Sequence, residues 1–216
     1  MNYDDILPLF LSQDELRPEL QFVHNTGEYA VATNGHILIE IPLSKVKKKY
    51  NSVERYPNYK SVMPKESDYF KEAKLITAES IREVLQTVPM RKEMIEYVKC
   101  EGSGWNHDTA SGDCEACKGK GEVEGKDMIF DLSTHKVKIG EGYFNPNYVE
   151  VLLKVAQVSN TGVILQRCTS ETKANQFEID DVKILIMPMR IRDNMDNIRR
   201  DDFTIHELEY LANEKI

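Results

Sequence analysis

The sequence predicts an α+β fold built from two similar halves, each a helix followed by three antiparallel strands, with a small cysteine-bearing hairpin inserted between them. Three observations point to this. A helix over Tyr3 to Leu11 precedes three strand-like runs, a helix opening at Asn145 precedes three more, and three of the four cysteines crowd into residues 100 to 117. A pattern that occurs twice in one chain marks an internal repeat.

In the first half (about 1–44), Pro8 weakens the opening helix and "SQDELRP" makes its polar exit. Strands are expected at Leu20 to His24, Tyr29 to Thr33 and Ile37 to Ile41, separated by "NTGE" and "NG". Asn and Gly accept positive φ, so both separators are turn chemistry. Residues 45–75, rich in Lys, Tyr, Ser and Pro, read as a connector. Thr77 then caps a second helix, 77–90, whose Ile81, Val84, Leu85 and Val88 share one face, the pattern of a core-packing stripe.

The second half (about 126–190) has the clearest local grammar. Asn145 is an N-cap, Pro146 sits at the first helical position, and Phe144 is placed to staple against Val149. Strands follow at Gly162 to Cys168, Gln176 to Ile179 and Val182 to Met187. Pro188 lacks a ladder donor and so belongs at the strand end. Met187 and Met189 are flexible and polarizable, which suits either an irregular core or an adaptable groove. The two halves make one domain over 1–190, and the charged segment 191–216 reads as an appendage with a short helix from Thr204.

At 216 residues and 41% hydrophobic content the chain can bury a sizeable core. A net charge of −8 excludes a uniformly basic nucleic-acid binder. The charge is uneven: residues 1–44 carry one basic residue against seven acids, and 45–74 carry nine against four. No apolar stretch approaches the roughly 20 residues of a membrane span. The start "MNYDDILPLF" lacks the basic region of a signal peptide, so a cytoplasmic chain without membrane association is expected.

Residues 100–121 read "CEGSGWNHDTASGDCEACKGKG". Cys114-x-x-Cys117 followed by Gly119 and Gly121 is the pattern of a zinc knuckle, because two thiolates so spaced chelate one ion and the glycines turn backbone N–H groups towards the sulfurs. Cys100, Gly102 and Gly104 repeat its second half, but residue 97, where the paired cysteine would stand, is Tyr. This stretch, 98–124, resembles the CxxCxGxG zinc modules of DnaJ-type chaperones. It implies a structural zinc on Cys100, Cys114 and Cys117, with His107 as the fourth-ligand candidate and Asp108 and Asp113 behind it. Cys168 reads as a packed strand residue. "GKGEVEG" lacks the Walker and Rossmann spacings, and no motif points to nucleophilic catalysis, so the chain does not read as an enzyme.

Three separated stretches together resemble the bacterial DNA polymerase III β subunit, the sliding clamp. "LSQDELRPELQFVHNTGEYAVATNGHILIEI" (11–41) is similar to the clamp segment ending in Val-Ala-Thr-Asp-Gly-His-Arg-Leu. "RYPNYKSVMP" (55–64) is similar to its Phe-Pro-Asp-Tyr-x-x-Val-x-Pro connector, and "FNPNYVEVLLKV" followed by "ILIMPMRI" to the end of its last domain. The resemblance covers about two thirds of the chain. It implies a DNA-clamp-like fold and a non-enzymatic processivity or scaffold role in DNA replication or repair. The chain's shortness adds a phage or mobile-element version to that expectation.

In clamps those stretches converge on a pocket for linear motifs of polymerases and clamp-loader subunits. Carried over by motif match, the peptide-binding residues are Thr33, Gly35, His36, Leu38, Pro57, Val62, Met187, Pro188, Met189 and Arg190. Clamps also line their hole with Lys and Arg that touch double-stranded DNA without reading sequence. Lys45, Lys47, Lys48, Lys49, Arg82 and Lys154 are the candidates here. The departures are Asn34-Gly35-His36-Ile37 in place of Asp-Gly-His-Arg, and material for one to one and a half clamp domains, so a ring needs a homo-oligomer. The alternative expectation is a monomeric, zinc-stapled adaptor that keeps the pocket and does not encircle DNA.

Overall fold

Proline placement decides the start of the chain. Asn2 caps the four-residue helix α1 (Tyr3–Ile6), its side chain accepting from the Asp4 N–H. A 3₁₀ turn, Leu7–Phe10, then carries Pro8 near its N-terminal end. In a continuous α-helix Pro8 would clash with the carbonyl of residue 4, so the single helix expected over Tyr3 to Leu11 becomes two short pieces. Pro18 likewise opens a 3₁₀ turn, Pro18–Gln21, where a strand was expected. Only β1 (His24–Asn25) remains of it.

These features belong to a computed structural model that describes residues 2–97, 100–105, 112–189 and 203–211. It divides into two compact units, Met1–Val88 with Leu132–Ile216, and Pro89–Asp131. The fold is α+β.

In the first unit, β2 (Tyr29–Thr33) and β3 (Ile37–Pro42) form the expected hairpin. At its turn Gly35 has φ +91°, and the Asn34 side chain accepts from the His36 and Ile37 N–H groups. The connector ends in a strand not foreseen from its composition, β4 (Lys74–Thr77). Thr77 caps α2 (Ala78–Thr87), accepting from the Ser80 N–H. The second unit contributes β5 (Met90–Glu96) and β6 (Glu122–Phe130), an antiparallel hairpin with an irregularity between Lys92 and Met94. Its stem makes that unit wider than the 98–124 insertion expected.

The first unit resumes with β7 (His135–Ile139) and β8 (Gly142–Phe144), both beyond what periodicity suggested. Helix α3 (Pro146–Ser159) starts as expected at Asn145 and ends at Asn160, whose φ of +53° is left-handed. Strands β9 (Val163–Gln166), β10 (Asn175–Ile179) and β11 (Val182–Ile186) follow. Seven strands form one antiparallel sheet in the order β1-β2-β3-β11-β10-β9-β4. The two three-stranded meanders thus join where β11 pairs with β3, Ile184 opposite Ile39 and Leu185 opposite Leu38. Helix α3 packs on β9 and β10, with α1 and α2 against it. Phe144 and Phe177 meet edge to face in the core, ring centroids 6.1 Å apart.

The tail differs from expectation. Thr204–Leu208 is a strand, β12, lying parallel to β7 in a second sheet of order β12-β7-β8. Its β-branched Thr204 and Ile205 favour extended backbone, and Leu208 is buried, so pairing and burial outweigh the helix signal. Tyr210 reinforces the attachment by donating its O–H to Gln166 Oε1 at 2.7 Å.

Candidate functional site

The connector brings the first site together. On one face of the large sheet Val31, Leu38, Leu185, Tyr59 and Ala174 form an apolar cluster, against which Tyr29, Tyr56, Met63 and Met187 pack. Alternation along β3 and β11 aims Leu38 and Leu185 to that face, while Ile37, Ile39, Ile184 and Ile186 point to the other. Past the end of β11 the Met187 N–H donates to the His36 carbonyl at 2.8 Å, which sets Met187 beside the β2–β3 turn. A groove of about 530 Å³ opens here between Val62, Met63 and Pro64 of the connector, Cys168, Thr172 and Ala174 of the β9–β10 loop, and Met187.

The structure brings part of the set expected to form a pocket to this groove. Val62, Met63 and Met187 line it, and Leu38 belongs to the apolar cluster beneath. Thr33 and Gly35 build the turn: the Thr33 hydroxyl donates to the Ile37 carbonyl and accepts from the Gly35 N–H. His36 is exposed, 6.4 Å from the Tyr148 ring, and lines a neighbouring depression with Asn34, Leu9, Leu11 and Arg17. Pro57 is exposed, Pro188 is buried and Met189 is 37% exposed, its N–H bonded to the Tyr143 carbonyl. Arg190 lies outside the described residues. Met63, Cys168 and Ala174 were not singled out from sequence as groove residues, because loop segments carry no periodicity that marks a lining face.

The basic candidates have partners. Lys45 is ion-paired with Asp180 and Asp181 and lies over the Tyr3 ring. Its burial disfavours the charge, but the two carboxylates outweigh this and push its pKa above the ordinary lysine value. Arg82 pairs with Glu79, and Lys154 with Glu150 at 2.7 Å. The side chains of Lys47, Lys48 and Lys49 are exposed. Their backbone is fixed, since the buried Asp4 carboxylate accepts from the Lys47 and Lys48 N–H groups and from the Tyr50 hydroxyl.

Bacterial sliding clamps are what this chain is similar to. The DNA polymerase sliding clamp of Pseudomonas aeruginosa aligns over 86% of this chain and 62% of its own length, at 14% identity and a TM-score of 0.45. The DNA polymerase III beta subunit of Thermotoga maritima aligns over 89% and 65%, at 16% identity and 0.46. The sliding clamp of Bacillus subtilis aligns over 89% and 64%, at 16% identity and 0.46. The chain therefore spans less than two thirds of the length of each. No protein-family model matches the sequence, and no curated protein matches it. Among the described residues no helix is long and apolar enough to cross a membrane.

The second site lies in the Pro89–Asp131 unit. Cys100, Cys114 and Cys117 are buried, with their sulfurs all within 4.8 Å of one another. The Cys100–Cys117 sulfur separation is 3.8 Å, roughly the edge of a tetrahedron with metal–sulfur bonds of about 2.3 Å. The Gly121 N–H donates to Cys117 Sγ at 3.2 Å, a charge-stabilising bond of the kind that surrounds metal thiolates. Burial pushes the Cys100 thiol up, whereas the Cys117 backbone N–H beside Cys114 draws that thiol below its ordinary value. Tyr97 and Val123 pack against the sulfurs. Three such cysteines could hold a metal ion. His107 and Asp108 lie outside the described residues, and Asp113 is exposed. Cys168, in the other unit, is buried as expected, but it lies in the β9–β10 loop and not in a strand, because β9 ends at Gln166.

Proposed function

We propose that this chain is a non-enzymatic, sliding-clamp-like scaffold of DNA replication or repair that captures linear motifs of polymerase-type and clamp-loader-type partners. The observation that carries the reading is the convergence around one groove of residues drawn from three distant stretches: Leu38, Val62 and Met187, with His36 bonded to Met187 through the backbone. Those are the stretches that resemble the clamp family. Half-buried Met187 and exposed Met189 suit a groove serving several peptides, because an unbranched thioether repacks at little cost. The peptide site then comprises Thr33, Gly35, His36, Leu38, Pro57, Val62, Met187, Pro188, Met189 and Arg190. Exposed Lys47, Lys48 and Lys49 supply non-specific contacts to DNA phosphate, and several copies of the chain assemble. In the cysteine unit a structural zinc is held by Cys100, Cys114, Cys117 and His107. It staples a two-stranded hairpin that has little core of its own.

A second reading, a monomeric adaptor that keeps the groove and leaves DNA alone, is favoured by one observation: acids already pair Lys45, Arg82 and Lys154. The peptide site itself is tested by replacing Met187 and Met189 with Ala together and measuring anisotropy of a labelled clamp-motif peptide. The expected result is at least a ten-fold loss of affinity with thermal unfolding little changed. Unchanged affinity would return both methionines to a packing role.

A further inference from the structure

The cysteine unit contains a repeat that its sequence half conceals. Residues 97–104, "YVKCEGSG", and 114–121, "CEACKGKG", align at an offset of 17, pairing Cys100 with Cys117, Gly102 with Gly119, Gly104 with Gly121, and Tyr97 with Cys114. The backbone obeys the same pairing. Tyr97 N–H donates to the Gly121 carbonyl at 2.8 Å, and Cys114 N–H to the Gly104 carbonyl at 2.8 Å. Gly102 N–H reaches the Tyr97 carbonyl at 3.4 Å, and Gly119 N–H the Cys114 carbonyl at 3.3 Å. Ser103 N–H donates to the Cys100 carbonyl, as Lys120 N–H does to that of Cys117. Glu101 and Lys118, which no glycine rule required, share left-handed φ values of +49° and +53°.

The two copies face each other across a local two-fold. A Cβ on Gly104 would stand 2.2 Å from the Gly119 carbonyl oxygen, and one on Gly121 would stand 2.0 Å from that of Gly102. Each copy therefore needs the other's glycine for the same reason, which is close backbone approach. Under this symmetry Cys100 and Cys117 are equivalent positions, and so are Cys114 and Tyr97. Three sulfurs fill three of four related corners around the cluster, and the fourth corner belongs to position 97.

We infer that position 97 is the fourth ligand position of the metal site and that Tyr97 withholds a ligand from it. A phenol oxygen sits at the far end of a ring, several bonds beyond where a thiolate sulfur would lie, so Tyr97 covers that side of the cluster without ligating. The ion keeps three knuckle thiolates and one coordination position that only a donor from outside the two knuckles fills, an imidazole or a thiolate by zinc's preferences. This inference rests on the metal reading proposed above, and its test separates the two.

The experiment counts thiols that become alkylatable when a zinc chelator is added to the folded, zinc-loaded full chain, by mass spectrometry, for wild type, Tyr97→Cys and Tyr97→Phe. Cys168 is buried outside the cluster and serves as background. Three thiols released in wild type and Tyr97→Phe, and four in Tyr97→Cys with at least ten-fold tighter zinc retention, would bear the inference out. Three released from Tyr97→Cys would show that position 97 is not a ligand corner, while leaving the metal in place. Loss of the metal from Tyr97→Phe would show that the phenol itself ligates and would overturn the inference. None released in wild type would remove the metal reading itself.

Discussion

Asp4 shows how much one side chain can organise. Its carboxylate is 4% exposed and accepts from the Lys47 N–H at 2.9 Å, the Lys48 N–H at 3.1 Å and the Tyr50 hydroxyl at 2.8 Å. Burial alone would raise its pKa, but hydrogen bonds to the ionised form outweigh burial and hold it below the ordinary aspartate value. The stability it supplies is therefore present above the unfolded value near 3.8 and is lost as pH falls through the lower folded value. Asp4→Ala leaves three donors unanswered, so urea unfolding at pH 7 should show a loss of about 2–3 kcal/mol, and the acid-unfolding curve should lose part of its steepness. An unchanged midpoint would mean that water replaces the carboxylate without cost. None of this was legible in sequence, where Asp4 is one acid among several in an acidic segment and the lysine run reads as a solvated connector. The caps at Thr77 and Asn145 and the closeness of Cys114 to Cys117 were legible, because both depend on neighbours within a few residues. The backbone equivalence of Tyr97 and Cys114 was visible only as a missing cysteine until the hydrogen bonds of the two copies could be compared.

At the scale of elements, the strands and helices found from sequence are those with a local signal: the turn residues before β2 and β3, the caps of α2 and α3, the β-branched run of β11. Among those missed, β4, β8 and β12 are short or edge segments, and β7, though central in its sheet, carries no turn or cap signal of its own and is specified by its partners. β12 is the instructive case. It lies at the end of its sheet, and besides Leu208 it is held by His206, whose Nε2 lies 3.1 Å from His135 Nδ1 and whose Nδ1 lies 2.7 Å from the Thr87 hydroxyl. Lys136 and Lys138 on β7 and Glu207 on β12 are the neighbouring charges, Lys138 and Glu207 being paired. Burial, and then the neighbouring His135, lower the His206 pKa below 6.5. The unfolded strand thus binds the proton more readily than the docked one. The strand's stability is complete above pH 6.5 and declines as pH falls from there through the folded pKa. Hydrogen exchange, corrected for intrinsic rates, should show the Thr204–Leu208 amides losing protection between pH 7.5 and 5.5, and His206→Gln should flatten the change. Protection that stays constant across that range would mean the histidine pair carries no part of the docking.

At the scale of the whole molecule, the seam between β3 and β11 makes one sheet out of two meanders, and sequence alone does not choose it. Both strands are apolar enough to sit centrally, and the register is fixed by pairs such as Lys183 opposite Glu40, where the nearly buried Glu40 carboxylate keeps a lysine at 3.9 Å. The same seam delivers Met187 to the β2–β3 turn, so groove and fold were specified together. The proposed contact with DNA is tested first against charge. With a net charge of −8 and three of the six candidate cations already paired, the proposed phosphate contact is left to Lys47, Lys48 and Lys49, too few in one copy to hold a duplex at physiological salt. Repetition of that short basic run around a closed oligomer would change the arithmetic, because each neutralised phosphate adds about 0.9 to the slope of log affinity against log salt. Light scattering over a concentration series, with and without circular DNA, reads this directly. The scaffold reading expects a discrete oligomer of several 24.9-kDa chains, retained on circular DNA, released when the circle is cut and weakened steeply by salt. A persistent monomer that ignores DNA yet binds clamp-motif peptide through Met187 and Met189 would instead assign the exposed lysines to solubility and make the chain an adaptor.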